Sequence, residues 1–239
     1  MMRVLLSLAT VLLLVLAPVV ADAGDLPDWL KSLTKKDTLS DEKVVSGLKE
    51  ALEIGSGNAV SLTGRDGGYF ENEAIKILMP ENLQKLDKGL RAVGFGPKID
   101  EFVLSMNRAA ESAAPLAKDI FIGSIKEMSF DDAKQILRGG DTAATDYFRS
   151  KTTDNLTTVF TPIVRDKMQG VGVTEQYDAL VGRYTSMPFV KAPRFDLDQY
   201  VVGEALDGLF TVLGEEERKI RQDPAARVTD LLKDVFGKK

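Results

Sequence analysis

The sequence predicts an all-α domain. Apolar residues recur at helical spacing along most of the chain after residue 39, helix-start signals precede those stripes, and strict apolar–polar alternation is nearly absent. These patterns place helices over about 41–55, 81–93, 98–113, 116–128, 130–138, 142–151, 153–170, 174–185, 197–221 and 225–236.

The first of these opens at Ser40, whose hydroxyl can accept a backbone N–H, with Asp41 and Glu42 at the positive helix end. Leu39 and Val44 occupy the positions that staple the entering chain. Ser56 to Pro80 is the least helical stretch; it holds Gly57, Gly64, Gly67 and Gly68, then at most a short extended segment near 74–80. Further on, Ala117, Ile120, Phe121, Ser124, Ile125 and Met128 form one stripe, with Ser129 and Asp132 as a looser capping box for the next helix. Gly139 and Gly140 can end that helix, after which Asp141 or Thr142 caps its successor. Leu156, Val159, Phe160, Ile163 and Val164 repeat the stripe, and Pro162 within it predicts a kink or a break. Tyr177, Leu180, Val181 and Tyr184 make a shorter copy. Asp196 is a cap with Gln199 three residues on, and Asp223-Pro224 places a cap before a proline at a first helical position. Glu215 with Lys219, and Glu217 with Arg221, have i,i+4 spacing in the favourable order. The closing stripe is Val228, Leu231, Leu232, Val235 and Phe236.

Ahead of this domain, Met1-Met2-Arg3 is followed by the almost wholly apolar Val4–Val20 and by Ala21-Asp22-Ala23. A positive start, an apolar run and small residues at the cleavage step are the pattern of a secretory signal peptide over residues 1–23. An uncleaved anchor is the alternative, because the run approaches the roughly 20 residues that span a bilayer. Cleavage would leave a chain from Gly24, with a lead-in over 24–38 and one all-helical domain over 39–239, in the periplasm or secreted.

A chain of 239 residues without cysteine has no disulfides and must be stable through packing alone. The absence of histidine as well removes Ser-His-Asp and Cys-His catalysis and the usual ligands of zinc, iron–sulfur, haem and copper sites. No cofactor or metal is expected. The net charge of −5 is mild and interspersed, with no basic block that suits nucleic acid. The glycines form no phosphate loop. Carboxylate-pair hydrolysis survives these exclusions, although 36 acidic residues make chance pairs numerous.

Three places are more polar than the fold requires. Arg65-Asp66-Gly67-Gly68-Tyr69-Phe70 could present Arg65, Asp66 and Tyr69 as a ligand lip, or be a turn with packed aromatics. Asn107 and Arg108 interrupt an apolar stripe, as structural ties or as an anion site. In the run from Arg138 through Arg149 the glycine turn and its cap explain all but Arg149 and, just beyond it, Lys151, which add positive charge near the following turn; Asp141 and Arg149 are the ligand-binding candidates here.

Phe102–Glu111, Gly139-Gly140-Asp141 through Arg149, Leu206–Phe210 and Ile220–Arg227 resemble the bacterial family catalogued as domain of unknown function 4197, over about Leu39 to Phe236. The resemblance implies an exported, mainly helical protein, periplasmic in a Gram-negative cell, and brings no activity or site residue with it. The reading that follows is a non-catalytic exported module that binds an unidentified protein partner. The alternatives are a carrier of an apolar small molecule or lipid, and a carboxylate-dependent hydrolase acting on cell-envelope polymers.

Overall fold

Ser40 caps the first helix in a computed structural model that describes residues 40–92, 94–170, 182 and 196–236: its Oγ accepts from Lys43 N–H at 3.2 Å. That helix, α1 (Asp41–Gly64), is followed by α2 (Gln84–Ala92), α3 (Gly96–Ala113), α4 (Ala117–Glu127), α5 (Phe130–Arg138), α6 (Ala143–Gly170), α7 (Leu197–Gln222) and α8 (Asp230–Phe236). Short 3-10 turns cover Glu81–Leu83, Ala114–Leu116 and Pro224–Ala226. There is no strand among the described residues, and the fold is all-α. The leader and lead-in over 1–38, and the helix expected over 174–185, lie outside the described residues.

The long helices α1, α3, α6 and α7 carry the core: α6 packs along α3 and α7, and α1 packs along α7. Phe121, Phe148 and Phe210 meet at its centre, with ring centroids 5.0 Å apart for Phe121–Phe148 and 6.2 Å for Phe121–Phe210. Tilted aromatic pairs at such spacing add to the area they bury. Along α3, Ala109, Ala110 and Ala113 are fully buried, and small side chains there let neighbouring helices approach closely.

Several expectations need correction. The helix expected to stop at 55 runs on to Gly64, because Ala59, Val60 and Thr63 are buried and Gly64 packs against Pro115. A Cβ on Gly47 would sit 2.5 Å from Val235 Cγ2, and one on Gly55 would sit 3.4 Å from Ile220 Cδ1. Those contacts offset glycine's poor helix propensity. The helices expected over 142–151 and 153–170 are one, α6. Thr152 is buried inside it and donates to Phe148 O at 2.7 Å, so nothing ends the helix there. Pro162 does not break it either. Asp223 does take up a backbone N–H, from Ala225 at 2.8 Å, but it starts a 3-10 turn, and α8 begins only at Asp230. Glu217–Arg221 forms as expected, whereas Lys219 pairs with Glu216 at 2.6 Å instead of Glu215. The looser capping box at Ser129 is complete, with bonds in both directions between Ser129 and Asp132.

Gly208 on α7 is a site of close approach. A Cβ there would lie 2.6 Å from Tyr69 Cε1 and 3.1 Å from Ile75 Cβ, both buried. We expect Gly208→Ala to destabilise the domain by roughly 1–3 kcal/mol through overpacking, read as a lower urea midpoint with unchanged slope. An unaltered midpoint would mean that the Tyr69 ring moves aside freely.

Candidate functional site

The first two polar places, 40 residues apart in sequence, come together in the structure. Beyond α1 the chain turns at Gly67, whose φ of +76° suits glycine, and Gly68 approaches so closely that a Cβ would lie 2.4 Å from Thr63 O. The turn delivers the backbone N–H groups of Tyr69 and Phe70 to Glu111 Oε1, at 3.1 and 3.2 Å. Glu111, buried on α3, takes Arg108 Nη1 on its other oxygen at 2.6 Å, and Arg108 also reaches Asp66 at 3.3 Å. Arg65 stays exposed, its carbonyl closing the turn with Gly68 N–H.

Tyr69 is fully buried and donates to Ala205 O at 2.6 Å. Burial, and secondarily the charge of Glu111, pushes its phenol well above the ordinary range. Asn107 accepts from Ile77 N–H at 2.9 Å and donates to the carbonyls of Ile77 and Val103, both at 2.8 Å. The buried polar groups of Glu111, Tyr69 and Asn107 have partners inside the fold. The cluster ties the segment after α1 to α3.

Asp141 and Arg149 separate. Asp141 does not cap α6. It accepts from Gln222 Nε2 at 2.7 Å, and the α6 start is held instead by Glu217 of α7. The Glu217 carboxylate accepts from Ala144 N–H at 2.9 Å and from Thr145 N–H and Oγ1 at 2.8 Å each, while Arg221 donates to it twice. A carboxylate at a helix N-terminus meets the positive end of the helix dipole.

Arg149 lies in a groove of about 460 Å3 between α6 and α7. On the α6 side, Arg149, Thr153, Thr157, Thr161 and Arg165 follow one another every four residues and form a ladder along one face. Each arginine is tied across to α7: Arg149 Nη1 to Asp207 at 2.6 Å, and Arg165 Nε to Asp198 at 2.8 Å. The Arg149 guanidinium also sits 4.6 Å from the Phe210 ring centroid. The bond to Asp198, and then its charge, holds Arg165 protonated beyond its ordinary range. The threonine hydroxyls donate back to the carbonyls four residues earlier, at 2.6–2.8 Å, which leaves their oxygens as acceptors along the groove. On the α7 side, Gly203 leaves open space where a side chain would stand.

Sequence reasoning found Arg149 but missed the rest of the ladder. Its signal was present as polar residues at i,i+4 flanking the apolar stripe, with Thr157, Thr161 and Arg165 each following a member of Leu156, Phe160 and Val164.

A second, smaller groove of about 360 Å3 lies among the 70–79 segment, α2 and α3, where Arg91 bridges Asp87 at 2.6 Å and Asp100 at 2.8 Å. An apolar gap among α1, α6, α7 and Phe236 measures about 20 Å3. Among the described residues, no three acidic side chains converge as a metal site, and no helix is long and apolar enough to cross a membrane.

A search of curated proteins and of solved structures finds no match. A family model described as protein of unknown function (DUF4197) matches residues 38–237, the whole span of the resemblance read from the sequence. The chain belongs to that family.

Proposed function

We propose that the chain is an exported, non-catalytic binding module whose binding surface is the groove between α6 and α7. The observation that carries the reading is the ladder from Arg149 to Arg165. It sets hydroxyls and guanidinium groups along one wall of an open groove whose lining is otherwise largely apolar, with Gly203 leaving room opposite. Export rests on the leader pattern of residues 1–23, which suits release into the periplasm or the medium.

An apolar carrier has less support. A gap of about 20 Å3 holds about one water-sized probe, far short of an acyl chain. Hydrolysis by paired carboxylates also has less support. Partial burial, and then the charge of Asp207, raises the Glu204 carboxyl above the ordinary carboxylate range, as an acid catalyst needs, but Glu204 does not line the groove. Asp198 and Asp207, which do line it, are each occupied by an arginine.

Export is tested by N-terminal sequencing of protein released from source cells by osmotic shock. A start at Gly24 is expected, and intact protein from Met1 confined to the cytosol would overturn export. Binding is tested by methyl NMR of the purified protein against size-separated soluble fractions of the extracytoplasmic space. Shifts should concentrate at Thr153, Thr157, Thr161, Val202 and Leu206. Shifts confined to Met79 and Val103 would move the site to the smaller groove, and no shifts with any fraction would remove the binding reading.

A further inference from the structure

From the chemistry of the α6–α7 groove we infer that its ligand is a linear, uncharged, hydroxyl-rich oligosaccharide. The inference rests on the groove being the binding surface, and it concerns what that surface can hold.

The ladder from Arg149 to Arg165 covers 16 helical steps, about 24 Å at 1.5 Å per residue. Such a length suits an oligomer better than a single small molecule. Its rungs repeat every four residues, about 6 Å, comparable with the span of one pyranose unit.

The common ways of holding a peptide lack their requirements here. Strand addition needs an open sheet edge, and the described residues contain no strand. Docking of an amphipathic helix needs open apolar anchor pockets, but Val202, Leu206 and Phe210 beneath the groove are only 3%, 5% and 1% exposed. A proline-rich segment needs bare aromatic walls, and the Phe210 ring carries the Arg149 guanidinium. An acidic ligand needs uncommitted arginines, whereas Arg149 and Arg165 are each matched by an aspartate. A cationic ligand needs uncommitted carboxylates, and Asp198 and Asp207 are committed in those same pairs. Asp196 is engaged as the α7 cap, accepting from Gln199 N–H at 2.9 Å.

What the groove offers is a row of neutral acceptors on the threonines, flanked by arginine–aspartate pairs that present donors and acceptors side by side. A sugar hydroxyl both donates and accepts, so adjacent hydroxyls match such a pair without bringing net charge. Discrimination comes from the threonine oxygens, which would be left unpaired by a ligand without donors.

The test uses the purified protein with methyl-labelled Thr, Val and Leu, titrated with the tetramers of N-acetylglucosamine, β-1,4-glucose and α-1,4-glucose, and with a pool of neutral heptapeptides. Saturable shifts are expected at the Thr153, Thr157, Thr161, Val202 and Leu206 methyls with at least one oligosaccharide. Thr157→Val, which keeps the shape and removes an acceptor, should weaken binding by about tenfold, the equivalent of one hydrogen bond. Gly203→Trp should abolish binding by filling the open side of the groove, with thermal melting confirming that the variant folds. Saturable groove shifts with the peptides but with no sugar would overturn the oligosaccharide while leaving the groove as the binding surface. Silence from all four probes, alongside groove shifts from extracytoplasmic fractions, would do the same. Silence from probes and fractions alike would remove both.

Discussion

Glu217→Ala is expected to destabilise the domain by about 3–5 kcal/mol, the usual range when one member of a buried ion pair is removed. The Glu217 side chain is 7% exposed and its partner Arg221 14% exposed, so the substitution leaves a largely buried guanidinium without its counter-charge. It also strips the α6 start of the acceptor for Ala144 and Thr145. Arg221 keeps its bond to Ile136 O at 3.0 Å, which moderates the loss without replacing the charge. Chemical denaturation measures the total, and amide exchange at Ala144 and Thr145 localises it. Glu217→Gln should cost less, since an amide oxygen can still accept the two backbone N–H groups. A loss below about 1 kcal/mol for the alanine variant, with exchange at those amides unchanged, would show that Glu217 does not hold the helix start.

The second large effect is expected at Asn107. Alanine there leaves the N–H and C=O of Ile77 without partners in a fully buried setting, a penalty of about 2–4 kcal/mol. Faster amide exchange at Ile77 is the specific signature. Leucine should not rescue, because the orphaned groups belong to the backbone and need a polar partner. Oligosaccharide titration of the folded Asn107→Ala variant should match the parent protein, since Asn107 serves the fold and lies outside the groove. A stable Asn107→Leu variant would show that the segment around Ile77 finds other partners.

These two residues mark how far the sequence could be read. The polar interruption at Asn107 was visible in the apolar stripe of α3, and a structural tie was one of its two readings. The tie to Ile77 could not be seen, because it spans 30 residues. Glu217 stands i,i+4 from Arg221 in the sequence and pairs with it in the structure. Its role at the α6 start, 73 residues away, leaves no local trace. Stripes gave the helices because burial imposes their period. Glycine misled in α1, where Gly57 and Gly64 stand inside the helix and do not end it before Arg65. Threonine was overlooked in α6, because on a polar helix face it resembles ordinary solvated surface until α7 supplies the opposite wall. Family membership, the helices and Arg149 were therefore legible, and the groove was not.

The grip of Glu217 on the beginning of α6 also bears on the order of synthesis. A chain still missing its last two dozen residues has α6 complete in sequence, yet lacks both the acceptor for its first turn and the arginine that holds the end of α5. Partial chains should therefore settle poorly until nearly everything has emerged from the ribosome. Under the proposed export, such late closure would keep the polypeptide pliable during passage through a translocon.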